Sequence, residues 1–531
     1  MKFFYFFSFF ILAVIANINS WAQEKPATFI LKDSLSTPIP INSIHSATEL
    51  RQTLYKEGYF YFTSETIERD SLTYLISLGQ KTNTVVLKDL PKDIQLLFNV
   101  SKNYLYISPK QVPYWIEKVK DYFDSKGENF SEIQLINQIS KNDTLHCSLS
   151  IKSSPKRFID KIVIKGYERF PKQFLKHYIN TKKPFSKELL MITEKKINQI
   201  SFVRNIKTPA VLFTKDSTHL YLYLEKVKAN KLDALLGFNN EEGQNKIKFN
   251  GYVDISLINA LHKGESFAFK WNNSGQDQEE IDLNIESPYI FKSPVNFGYH
   301  LNIYKQDSSF VNNQNKISLS YQPHYKHTLS TYYQTESSTT LIDISNNEEY
   351  QKNMFGFTYT YLELNNLRLP KTRFLIDLAY GSKKTEINTQ QQLLKTDFIY
   401  NIELNPSNHF FLQNRNAYLN SKNKSTNELF RTGGATTMRG FLEQSITTHL
   451  YNYTNLEYRF FTNAVSYLYG FSDVGYFKNL NQESYLLSFG LGYTLGTASG
   501  LLKISYAVGK DQKSSFNLST GLFHINFVTI F

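Results

Sequence analysis

One cysteine, Cys147, occurs in 531 residues, so no disulfide can close within the chain and no cysteine cluster can hold a metal. After the first residues there is no second run of about 20 apolar residues, which excludes a further membrane helix. His-Glu-x-x-His, Gly-x-Ser-x-Gly and a phosphate-binding loop are missing, and the glycines of "GLGYTLG", Gly490–Gly496, are wrongly spaced for a dinucleotide fingerprint. The 11 histidines are scattered without ligand spacing. These absences predict a protein that is not an enzyme and uses no metal or cofactor.

What is present begins with an export signal. Lys2 precedes an apolar run from Phe3 to Ile15 broken only by Ser8, and Ser20-Trp21-Ala22 sets small residues three and one before Gln23. A basic start, a short apolar core and a small-residue cleavage site predict a signal peptide over 1–22. Export removes nucleic acid from the possible partners. The composition then narrows the class, because 36 Tyr and 42 Phe accompany a mean hydropathy that is slightly negative. An exported, aromatic-rich, polar chain can cross a bilayer as a closed β-barrel, whose alternation of apolar and polar residues never produces a hydropathy peak.

The texture changes near Ala229, after which alternating stretches are separated by Asn, Ser, Gly, Lys and Asp. In "YNYTNLEYRFF", Tyr451–Phe461, one face carries Asn455, Glu457 and Arg459 and the other Leu456, Tyr458 and Phe460, a strand with one wet and one apolar side. Residues 231–531 suit a barrel of about 16 antiparallel strands at ~10 residues per span. The final strand is placed at Phe516–Phe531, with Phe527 and Phe531 as aromatic anchors at the membrane boundary. Ahead of the barrel, residues 157–228 read as strand, helix, helix, strand, strand, with Ser186 capping the second helix and Leu220, Leu222 and Leu224 sharing a face. Residues 81–155 repeat part of that pattern, and 28–80 form a more degenerate copy. The run Lys152–Lys196 is rich in Lys and Arg, which suits lipid headgroups, an acidic partner or simply a solvated face.

The module at 157–228 resembles a polypeptide-transport-associated (POTRA) domain, and such modules before a C-terminal barrel resemble the BamA/TamA superfamily of outer-membrane assembly and translocation proteins. Three motifs carry the resemblance: "GGATTMRGF" in a long loop, "LEYRFF" on the next strand and "FSDVG", Phe471–Gly475, on the strand after it. The stretch "LGTASGLLKISYA" departs from the family in lacking prolines. The implied fold class is α+β periplasmic modules of β-α-α-β-β order followed by an all-β transmembrane barrel.

Alternation puts Asp473 on one face with Phe471 and Gly475, and that face is expected to be the lumen, since a carboxylate against lipid would be desolvated without a partner. The resemblance implies that the loop folds back inside and sets Arg439 against Asp473, with Glu457 as a second acceptor. Gly433 and Gly434 would permit the reversal, while Gly440, beside Phe441, would let backbone approach the wall. The resemblance further implies unfolded outer-membrane or secreted client proteins as partners, captured on the modules and passed to a laterally opening barrel. Outer-membrane lipid and a periplasmic or TamB-like inner-membrane protein would complete the partner set. The module count points to a TamA-like member; a two-partner-secretion pore and a passive porin-like barrel are the alternatives.

Overall fold

The computed structural model describes residues 28–31, 47–69, 71–179, 181–240, 247–273, 278–342, 347–365, 370–497, 500–512 and 514–529; the expected signal peptide and Phe531 lie outside them. Two compact units result, one of residues up to 159 with 182–189, the other of 160–181 with 190–531.

The first unit holds β1 (Thr28–Leu31), α1 (Ala47–Lys56), β2 (Thr63–Arg69) and β3 (Ser71–Ser77), in a sheet ordered β1-β3-β2. Next come β4 (Thr84–Lys88), α2 (Lys92–Phe98), β5 (Leu105–Ile107), α3 (Val112–Ser125), β6 (Glu132–Lys141) and β7 (Thr144–Lys152), ordered β5-β4-β7-β6. Period-two alternation sends Leu145, Cys147 and Leu149 of β7 inward, where they meet Val119 and Phe123 from the apolar face of α3. The extra strand β5 was not expected from the sequence. Its three residues pair with β4 and cover an edge that would otherwise stay open.

The second unit begins with β8 (Lys161–Lys165) and α4 (Lys172–Tyr178), continues through α5 (Lys187–Asn198) from residue 190 onward, and adds β9 (Val203–Phe213) and β10 (Thr218–Lys226). Leu220, Leu222 and Leu224 of β10 are fully buried. In all three small sheets the first strand runs parallel to the last, and the strand before the last runs antiparallel to it. That shared topology gives physical content to the weak sequence repeat.

The rest is one 16-stranded sheet in which every adjacent pair is antiparallel. Its first half comprises β11 (Lys231–Asn240), β12 (Ile247–Ile258), β13 (Ser266–Asn273), β14 (Gln278–Ser287), β15 (Val295–Gln306), β16 (Phe310–His324), β17 (His327–Thr340) and β18 (Tyr350–Leu364). Then follow β19 (Pro370–Lys384), β20 (Asn388–Asn405) and β21 (Asn408–Ser421). A separate small hairpin that is not part of this sheet, β22 (Phe430–Thr432) with β23 (Ile446–Thr448), precedes β24 (Leu450–Phe461), β25 (Tyr467–Lys478), β26 (Glu483–Thr497), β27 (Gly500–Lys510) and β28 (Leu522–Thr529). The last strand therefore starts at Leu522 and not at Phe516. Asn517 accepts a bond from the Ser519 N–H and holds a short 3₁₀ turn, so the chain is still reversing there.

Leu456, Tyr458 and Phe460 point outward and are exposed, as are Phe355, Phe357, Leu378 and Tyr380 farther round the wall. An apolar belt of this extent would be unstable in water and is the surface that a bilayer covers. No helix among the described residues is long and apolar enough to cross a membrane. The module at the start of this unit sits on the barrel's turns: Asn259 Nδ2 donates to Tyr167 Oη (2.9 Å), and Tyr289 packs on Phe174 and His177 with ring centroids 5.2 Å away in each case.

Cys147 offers a check on the first unit. It is buried in the β7 core, and burial pushes its thiol up to about 11, so the nucleophilic thiolate is scarce near neutrality. We expect the folded protein to resist maleimide at neutral pH and to react fully once denatured; fast labelling of the native form would contradict this core.

Candidate functional site

The connection from β21 to β24, residues 422–449, is the long loop, and much of it is buried. Hairpin β22–β23 narrows it to a tip at 433–445. Gly433 and Gly434 reverse the chain with φ of 108° and 101°, values that a Cβ would strain. Gly440 has φ 82°, and a Cβ there would come within 2.6 Å of the Gly509 nitrogen and 2.9 Å of the Val508 carbonyl carbon. The loop backbone thus lies directly on β27.

This close approach carries Arg439 into the wall. Its Nε donates to Asp473 Oδ2 (2.9 Å) and its Nη2 to Asp473 Oδ1 (2.6 Å), a two-pronged grip that only a planar guanidinium can make. The Arg439 backbone N–H adds a third bond to Asp473 Oδ2 (3.1 Å), and Nη1 donates to Glu457 Oε1 (2.5 Å). Glu457 is held in turn by Arg459, whose Nε lies 2.8 Å from Oε2. Four charges therefore alternate in sign, Asp473, Arg439, Glu457, Arg459, and cancel overall. Arg439, Asp473 and Glu457 are 3%, 0% and 5% exposed, which makes the mutual pairing obligatory.

Phe471 completes the cradle, with the guanidinium carbon 3.6 Å from its ring centroid. Glycine makes room for that ring, because a Cβ on Gly490 would fall 2.5 Å from Phe471 Cζ. Gly475 does the same for Phe477, whose ring would lie 2.4 Å from a Cβ built there. Phe441 packs against an apolar cluster of Met438, Tyr453, Phe477 and Leu486 beside the charges. Arg439, Gly440, Phe441, Glu457, Phe471, Asp473 and Gly475 are thus brought into one site, with Gly433 and Gly434 at its hinge. Phe527, on β28, is elsewhere, its backbone paired to that of Leu502 on β27, and Phe531 is outside the described residues.

Several contributors were not singled out from the sequence. Arg459 shares a face with Glu457 two positions away, which was a readable signal for a pair. Gly509, which faces Gly440 and the Phe441 ring, and Ser488, whose Oγ lies 3.5 Å from Asp473 Oδ2, gave no local signal because their role depends on strands that meet only in the fold. Among the described residues no cluster of His, Cys, Asp and Glu could hold a metal ion. The arrangement binds the loop tip to the wall and positions it there.

The Omp85 superfamily domain matches residues 259–524, which takes in the whole loop and every strand of this site. Among solved structures, CdiB from Acinetobacter baumannii aligns with a TM-score of 0.57 at 15% identity over 85% of this chain and 91% of its own. CdiB from Escherichia coli also reaches 0.57, at 11% identity over 91% of this chain and 96% of its own. BamA from Haemophilus ducreyi lacking POTRA domains 1–3 scores 0.47 at 15% identity, over 83% of this chain and 97% of its own. No curated protein matches the chain in sequence.

Removing Arg439 would strand Asp473 and half-strand Glu457, a loss of about 3–5 kcal/mol for breaking one partner of a buried ionic network. We expect Arg439→Ala and Arg439→Lys both to yield a folded barrel whose loop tip is cut at Phe441 by external chymotrypsin, with Gly440→Ala behaving alike. Protection equal to wild type in all three would contradict the site.

Proposed function

The chain belongs to the Omp85 superfamily of outer-membrane β-barrel proteins, and from that membership we propose that it captures unfolded clients on its N-terminal modules and inserts or translocates them through a barrel that opens sideways. The modules would lie in the periplasm. The observation that carries the reading is the state of the sheet ends. β11 and β28 come within 8 Å of each other, yet among the described residues no ladder joins them, while every other neighbouring pair of wall strands is joined by an antiparallel ladder. Ordinary barrels abolish edges; a seam that closes weakly leaves one, and an edge is a template for an incoming strand.

The modules supply edges of the same kind. β6 and β9 are each at the border of their sheet, and they expose Ile136, Ile139, Ile206 and Leu212. An extended client could add to such an edge through backbone bonds, with those side chains favouring apolar residues in alternation. Binding would be weak and sequence-tolerant, which suits delivery rather than storage. The module number favours a TamA-like division of labour with a TamB-like inner-membrane partner. Thr28–Leu31, in the stretch where a two-partner-secretion pore would carry its plug helix, is a strand paired with β3, which favours the insertion reading.

A cysteine pair placed across β11 and β28, in a Cys147→Ser background, tests the seam. We expect client assembly to stop under oxidising conditions and to resume on reduction; undiminished assembly with the crosslink formed would overturn lateral opening. Depletion followed by a census of the outer membrane separates the client classes: loss of several barrels supports the proposal, whereas loss of one secreted protein alone would replace it with a dedicated pore.

A further inference from the structure

Five residues before the loop tip, the same loop buries a second charge, opposite in sign to Arg439. Ser425 and Glu428 form a capping box around the 3₁₀ turn Thr426–Glu428, and the Glu428 carboxylate, with its side chain fully buried, is held against β18, β19 and β20 of the wall. Lys383 Nζ on β19 donates to Glu428 Oε1 (2.9 Å), and Lys352 Nζ on β18 lies 3.4 Å from Oε2. Gln391 Nε2 on β20 donates to Oε2 as well (2.9 Å). Lys383 and Lys352 are 0% and 5% exposed in their side chains, and their remaining acceptors, Glu336 and Glu348, complete the cluster. Next to it Asn427 is fully buried, donating to Ser338 Oγ (2.7 Å) on β17 and accepting at its carbonyl from Asn312 Nδ2 (2.6 Å) on β16.

Two buried ionic anchors on one loop do more than hold it twice. The loop also bonds the wall elsewhere: between the anchors Arg431 lies over the Tyr304 ring of β15 at 4.5 Å and the Thr436 carbonyl accepts from Arg415 Nη1 of β21 (2.9 Å), and beyond the Arg439 anchor Gln444 Nε2 donates to Glu280 Oε2 of β14 (3.0 Å). With Arg439 on β24 and β25, Met438 against Leu486 of β26 and Gly440 on β27, the loop touches wall strands from β14 round to β27. A segment that contacts so many strands on the inner side must cross the lumen.

We propose that Glu428 is a positioning residue that pins the loop across the lumen as a strap, so that the resting barrel is closed to small ions and only release of this pin, with the Arg439 anchor still seated, opens it. The polarity is reversed relative to the first anchor. There the loop brings the cation and the wall the acids; here the loop brings the acid and the wall the cations, so neither anchor can be replaced by slipping into the other's place. The inference needs the barrel and its loop alone, and its outcome does not depend on clients.

The test is conductance of the purified full-length protein in planar bilayers, with heat-modifiable gel migration to show a folded barrel and chymotrypsin protection at Phe441 to show that the first anchor is intact. Glu428→Ala should raise mean conductance several-fold with both controls unchanged. Glu428→Gln, which preserves shape, and Lys383→Met, which removes the wall partner, should do the same singly, and their combination should open the barrel no further than either one, because they report one interaction. Folded variants with wild-type conductance would overturn the proposal, as would conductance increases that add in the double variant.

Discussion

A buried arginine that accepts no substitute partner organises this barrel. Arg439 is too deep to be hydrated and too highly charged to be left alone, so its position is dictated by the two carboxylates that reach it, Asp473 on β25 and Glu457 on β24. Such a network adds little net stability, since the desolvation of four charged groups offsets most of their attraction. What it contributes is a single location for the loop. The glycines, the Phe471 platform and the close contact at Gly509 all follow from seating that one guanidinium.

The fold below the loop is explained by simpler forces. Alternation along each strand, antiparallel pairing and an outward apolar face suffice to close a wall around a polar interior. Polar residues can then occupy the lumen freely, and the loop uses that freedom. Of the interactions it makes, the ionic ones are directional and discrete, whereas the apolar cluster around Met438 and Phe441 tolerates small shifts. Each ionic anchor of such a segment is either seated or released, with little between the two.

Much of this was legible in the chain. The lipid and lumen faces of "LEYRFF" and "FSDVG" follow from period two, and the structure places Leu456, Tyr458 and Phe460 on one side and Asn455, Glu457 and Arg459 on the other. The single cysteine foretold a small core closed without disulfides. Contacts that join residues remote in sequence were not legible. Glu428 looks locally like a turn acid after Ser425, and nothing near it signals that Lys352 and Lys383 arrive from strands 76 and 45 positions earlier. β5 was missed because three residues are too few to show a period, and the start of β28 was misplaced because Phe516 is aromatic but sits in a capped turn.

The central claim is that the loop tip resides inside the cylinder in the resting protein. Spin labels at Thr436 in the tip and Asn463 in the short turn between β24 and β25, in a Cys147→Ser background in lipid, measure this directly by pulsed dipolar spectroscopy. A seated tip predicts one narrow distance distribution that broadens and lengthens when Arg439 is replaced. A broad, long distribution already present with Arg439 intact would contradict the account.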